Sequence, residues 1–551
     1  MKPYYCHRKL VFFVIACLVF SCREKSSTPS PELIKGMMLK RGEIISCGSA
    51  DQQFGEVQFE TSCKQKQLFN LGVKLLHSFE YDEAEKVFAQ IIDKEPNAAM
   101  AYWGIAMCNF HPLWTPPSEA ELRKGAKACE LAQSITGTTK REALYIDAIA
   151  SFYKAWDKTD HKSRCLDFER AMEKIYREYP DDVEASVFYA LSLDASADPS
   201  DQSFIKQKKA GTILNSLYST HPNHPGIVHY IIHTYDYPEL AQMALPAARR
   251  YAAVAPSSAH ALHMPSHIFT RLGLWDECIQ SNMVSVSSAQ CYAGQAGIKG
   301  HWDEELHGLD YLVYAYLQKG ENDSVQKLLQ YVNSIDEAEP LNFKVAYAFA
   351  AIPSRYVLEN KFWKEASALP LRPNFPWKKF PWQEAIIHFS KGLGFAHTND
   401  LSKAHNELSE LNRLHDTLVN QKDSYKAGQV QIQMNAVAAW IKYKERNNEE
   451  ALGLMNEAAD MEDKTEKHPV TPCEVIPARE LLADMLMEMK QWDKALIAYE
   501  EDLKKHPNRF NGLYGAALAA EKSRDNQKAE AFYKQLVSFV KNKSRPEFRE
   551  R

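Results

Sequence analysis

Eight residues beginning at His260 read HALHMPSH, which sets His260, His263 and His267 at spacings of three and four. Shortly before them, HYIIH places His229 and His233 four apart. Nine of the nineteen histidines lie between His221 and His307, and His307 itself opens the run HGLDYLVYAYLQKG. Neutral imidazole is a good ligand for zinc, copper or iron, so the chemistry to expect of this cluster is transition-metal binding. Asp236, Asp303, Glu304 and Asp310 offer carboxylates for a further ligand or for holding a ring in one tautomer. Met264 would favour copper(I) if it reached the same centre. An isolated HxxxH pair is more often two hydrogen-bonded residues of a packed helix; recurrence on neighbouring segments sets this cluster apart. The expectation is one site surrounded by His229, His233, His260, His263, His267 and His307, of which three or four ligate an ion.

Such a site needs helices to hold it. Four helical residues advance about 400°, so His229 and His233 lie within about 40° of each other on one face. By the same rule His260, His263 and His267 span about 60°. Pro265 leaves two geometries open. Either a helix starting at Ser258 is kinked there, or a helix begins at Pro265 and leaves His260 and His263 on the preceding turn. His221 and His224, in HPNHPG, read as loop residues, and His111, before Pro112, reads as a cap or groove residue.

The helices recur with a period. In KQLFNLGVKLLHSFEYDEAEKVFAQIIDKEP, Gly72, Ala84, Phe88 and Pro96 stand at offsets of twelve, four and eight. Ala483, Ala495, Tyr499 and Pro507 repeat those offsets, Ala529 follows Ala495 by thirty-four, and Ala244, Ala248 and Pro256 keep the later part. Small residues allow two helices to approach, aromatics fill the gap to the next pair, and proline stops the second helix. This pattern resembles the tetratricopeptide repeat family. The resemblance implies an all-α solenoid of antiparallel helix pairs, stacked into a superhelix whose first helices line a concave groove. In that frame HYIIHTY, Ser258 to Thr270 and the run from His307 are three neighbouring groove helices. HMPSHIFTRLGLWDECI also resembles the eukaryotic tetratricopeptide repeat domain 38 family, which implies shared architecture and no established activity.

The expected organisation is a signal segment (1–21), a tether and cap segment (22–65), a first repeat array (66–368), a Pro/aromatic break (369–385) and a second array (386–551). Lys2, Arg8 and Lys9 precede the apolar run LVFFVIACLVF, too short to span a bilayer and suited to an export signal. The ending LVFSC resembles a bacterial lipoprotein cleavage box, although Phe20 stands where that pattern prefers a small residue. The resemblance implies lipidation of Cys22, a membrane anchor and residence in a bacterial cell envelope. In an exported chain cysteines can pair, and Cys47 and Cys63 bracket a short segment that a disulfide would close. Cys278 sits where other repeats have alanine, so packing accounts for it.

Apolar and charged fractions of 45% and 25% are those of a soluble protein and exclude a membrane bundle. The formal net charge of −5 falls by three more without Lys2, Arg8 and Lys9, so nucleic acid is not the expected partner. No GxSxG, GxxxxGK[ST], HExxH, CxxCH or CxxC motif occurs. The leading expectation is an envelope-anchored scaffold that binds a protein or peptide in its groove. The alternative is a metal-binding protein or metal-dependent enzyme that uses the histidines.

Overall fold

Phe88 shows how the chain stacks. Its ring lies where a Cβ on Gly72 would come within 2.7 Å and one on Gly104 within 2.5 Å, so it wedges between one helix pair and the next. Tyr499 fills the same role against Gly515, where an added Cβ would meet the ring at 2.2 Å. Ala84 and Ala495, fully buried, let the paired helices close. In this computed structural model, which describes residues 1, 28–48, 52–113, 116–540 and 545, twenty-six α-helices follow one another in such pairs. The two short strands, His301–Trp302 and Ala338–Glu339, pair in parallel. The protein is an all-α solenoid.

The clear repeats fall where the spacing puts them: Lys66–His77 with Tyr81–Lys94, Ala478–Glu488 with Trp492–Lys505, and Phe510–Lys522 with Asn526–Phe539. Pro96, Pro256 and Pro507 each follow a helix end by two residues, at Lys94, Val254 and Lys505. Residues 368–380 are irregular apart from the short turn Trp377–Lys379, and Pro381–His397 starts the next helix. Trp377 and Trp382 nevertheless join the same apolar core as Phe349 and Phe389. The main core instead changes over near the helix Trp275–Ala296, with Cys278 in one cluster and Val286 in the other.

The segment before the first repeat is a strap, laid along the array with Phe54, Val57 and Phe59 buried. Cys47 is disulfide-bonded to Cys291, 244 residues away, and not to Cys63 as the short bracket suggests. The twenty-two-residue helix Trp275–Ala296 carries Cys291 to the strap, and Ser288 on the same helix donates to the Cys47 carbonyl at 2.6 Å. Cys63 keeps a buried thiol beside Glu95. Residues 2–27, with the expected signal segment and Cys22, lie outside the described residues. Among the described residues no helix is long and apolar enough to cross a membrane.

The superhelix turns far enough for its last repeats to touch its middle. Trp275 Nε1 donates to the Asn508 carbonyl, and Phe510 N donates to Gln318 Oε1 across nearly two hundred residues. Arg509, fully buried, pairs with both Glu359 and Glu480 at 2.9 Å.

Candidate metal centre

Three neighbouring helices carry the six histidines: Pro225–Thr234, the pair Ala259–His263 and Pro265–Arg271, and Asp303–Gln318. Ser258 caps the second by accepting from Ala261 N, and its hydroxyl donates to Glu80 Oε1 at 2.6 Å. At Pro265 the geometry is the kinked helix. Met264 keeps helical angles and its N–H still reaches the His260 carbonyl at 2.9 Å, while a second short helix starts at the proline.

The six imidazoles come together, but as two abutting triads in place of one ring. His229, His233 and His260 form one, and His263, His267 and His307 the other, each offering nitrogens within 4.8 Å of one another. The His233 and His267 rings join the triads, 6.3 Å apart. All are buried except His233, which is partly exposed.

Hydrogen bonds fix the tautomers in the second triad. Asn282 donates through Nδ2 to the Cys278 carbonyl, so its Oδ1 faces His263 Nδ1 at 2.6 Å and accepts the ring proton. His267 Nδ1 donates to Asp236 Oδ2 at 3.0 Å. With both Nδ1 atoms protonated, each neutral ring presents a bare Nε2, and these two lone pairs face each other at 3.1 Å. A cation between them removes the repulsion. Two nitrogens bound to one zinc at about 2.0–2.1 Å stand about 3.3 Å apart at the tetrahedral angle. The Tyr311 hydroxyl lies 3.3 Å from the same His267 Nε2, at the edge of the triad.

The first triad is similar but less constrained. His229 Nδ1 donates to the His77 carbonyl at 2.6 Å, and its bare Nε2 faces His233 Nε2 at 3.0 Å. Here an N–H of His233 can also satisfy the contact. Glu304 Oε2 stands 3.9 Å from His260 Nδ1.

The electrostatics keep five of these rings, those of His229, His233, His263, His267 and His307, neutral and so able to ligate. Burial holds His229, His233, His263 and His307 well below the usual imidazole value, and each is lowered further by a neighbouring histidine. Burial also lowers His267, which Asp236 partly offsets. Burial alone would raise the Asp236 and Glu304 carboxyls. Lys467 and Arg271 instead hold Asp236 well below the usual range, and Lys344 does the same for Glu304.

Of the carboxylates singled out by position, Asp236 and Glu304 therefore approach the rings. Asp303 is taken by Lys344 and Asn342, and Asp310 by Arg355. His111 pairs with Glu121 at 3.0 Å, away from both triads. His224 is no loop residue but the buried cap of Pro225–Thr234, with Nδ1 accepting from Ile227 N and Nε2 on Glu184 at 2.9 Å. Glu184 also binds His77 Nε2 at 2.8 Å, and Tyr230 takes the other His77 nitrogen. Every ring nitrogen in that cluster has a hydrogen-bond partner, which explains its burial without an ion. A further cluster joins Cys473, Glu474 and His506, with Asp502 on His506 Nδ1 at 2.8 Å. Burial raises the Cys473 thiol, so it is not poised as a nucleophile.

The first triad borders a groove of about 1680 Å³ whose walls include Glu80, Tyr81, His260, Trp302, Glu304 and Lys344. Burial pushes the Glu80 carboxyl up to about 8. Sequence reasoning missed Glu80, Asn282, Lys344 and Lys467. Glu80, Lys344 and Lys467 come from other parts of the array and Asn282 from the helix that pairs with the His263 helix, and no spacing links them to the histidines.

No family model matches the chain, and no curated protein matches it. Among solved structures, the human IFIT1 dimer with PPP-AAAA is similar at 10% identity with a TM-score of 0.35, covering 86% of this chain and 90% of that one. The human IFIT1 dimer with m7Gppp-AAAA is similar at 10% identity with a TM-score of 0.36, covering 88% of this chain and 97% of that one.

Proposed function

We propose that the protein binds a transition metal, held by His263, His267 and His307 inside the helical-repeat scaffold. The observation that carries this reading is the pair of bare Nε2 atoms of His263 and His267, 3.1 Å apart with both tautomers fixed from behind. Imidazole donors select zinc, copper or iron over magnesium or calcium. Asn282 and Asp236 act as the outer partners that orient ligating rings. The test is elemental analysis of untagged protein from its native host, followed by zinc and copper(II) uptake by chelator-treated protein at pH 7.5. At least one ion per chain, with one ion fewer in His263→Ala, is the expected result. Protein that is isolated free of metal and takes up neither ion overturns the reading.

The groove supports a second role, binding a protein or peptide segment along its mixed aromatic and charged wall. Crosslinking in native envelopes should recover a reproducible partner, and a chain recovered alone would count against it. Anchoring rests on the LVFSC box. Acyl mass on Cys22 is expected, and a mature chain with an unmodified Cys22 would refute the anchor.

A further inference from the structure

We infer that the chain holds two ions, the second on His229, His233 and His260, with one coordination position open to the groove. This inference rests on the metal-binding reading above and goes beyond it in number, access and ligand. One tetrahedral ion takes four donors, whereas six imidazoles gather here. They do not converge on one point. Donor nitrogens lie within 4.8 Å inside each triad, while the rings of His233 and His267, one from each triad, have their centres 6.3 Å apart.

The triads differ in access. His263, His267 and His307 are buried, and Tyr311 lies against His267. His260 lines the groove, and His233 is partly exposed. Three imidazoles fill three positions of an ion and leave a fourth, as in metal sites that bind water or substrate. On the groove side that position faces Glu304 and Lys344. The ligand it takes is water, replaceable by a small anion entering from the groove. The enclosed triad holds its ion without such exchange. The His229 Nδ1–H bond to the His77 carbonyl aims Nε2 of that ring at the ion, the same device by which Asn282 aims His263.

Zinc titration of the chelator-treated full chain at pH 7.5, read by elemental analysis after gel filtration, counts the ions. Two per chain are expected, and one in each of His233→Gln and His263→Gln, with circular dichroism confirming that both variants fold. In cobalt(II)-loaded protein, azide should change the visible absorption of the wild type and of His263→Gln but leave His233→Gln unmoved. One ion in the wild type overturns the second site and leaves the metal-binding reading standing; no ion sinks both. Two ions with no azide response in the wild type, or a response that survives in His233→Gln, overturn the open position. If a variant does not fold, the wild-type count and the wild-type azide response still decide.

Discussion

At the scale of single residues, the centre depends on groups that never touch the ion. Asn282 accepts from His263 and is locked by the Cys278 carbonyl, so Asn282→Leu should free the ring to rotate. Outer partners of this kind are worth roughly 10- to 100-fold in metal affinity. A chelator-competition titration should show that loss at unchanged helix content, and an unchanged affinity would remove Asn282 from the site. The lowered imidazoles also make a statement about acid. A histidine kept neutral in the folded chain and protonated in the unfolded one, whose value is about 6.5, costs stability as pH falls below that value. The slope is about 1.4 kcal/mol per pH unit for each ring that stays neutral. Metal-free protein should therefore melt at steadily lower temperature from pH 7 to 5, and bound ion should steepen the trend because protons must displace it. A melting temperature flat across that range would mean that the rings protonate freely in the folded chain.

At the scale of elements, the aromatic wedges and the strap carry the repeat stacking. Gly104→Val would drive a side chain into the Phe88 ring, and overpacking of this kind costs about 1–3 kcal/mol. Urea unfolding should report that loss, and Phe88→Leu in the same chain should recover part of it. Cys47→Ser releases a strap closed over 244 residues, for which the chain-entropy relation gives about 5 kcal/mol. Reductant should lower the wild-type midpoint and leave the variant unmoved. The repeats were legible in the sequence because glycine, alanine, aromatic and proline each answer to a local demand of the helix pair. The six histidines were legible by spacing and by their place in that frame. Their division into two triads was not, because it turns on the path of the chain through Pro265, where the residues alone allow two geometries. The partner of Cys47 was out of reach too. Cys291 meets it only after several repeats have stacked, and the bracket with Cys63 looked shorter for reasons that hold only in an unfolded chain. His77, Glu184 and His224 come from three separate repeats and leave no linear trace.

At the scale of the molecule, the contact between the last repeats and the middle makes the solenoid unlike an open stack, where each repeat answers mainly to its neighbours. Arg509 sits between Glu359 and Glu480 with none of the three side chains exposed beyond 1%. Arg509→Met would leave two buried carboxylates without their cation, a loss of about 3–5 kcal/mol. Calorimetry of the wild type should show one transition, and the variant should melt earlier or in two steps. A wild type that already melts in two well-separated steps would mean that this contact does not couple the halves. Lys467 adds to the coupling, since it reaches from the loop before Ala478 to Asp236, the carboxylate behind His267.

A stack open at both ends can gain or lose a unit by duplication or deletion and simply become longer or shorter. This one behaves like a bracelet with a clasp. Inserting one more thirty-four-residue unit between Glu359 and Lys467 would carry Arg509, together with Glu480, away from Glu359 and draw Lys467 away from Asp236. Loops can vary in length without disturbing either contact, but the number of repeats in that interval is fixed, and the orientation of the His267 ring is tied to that number.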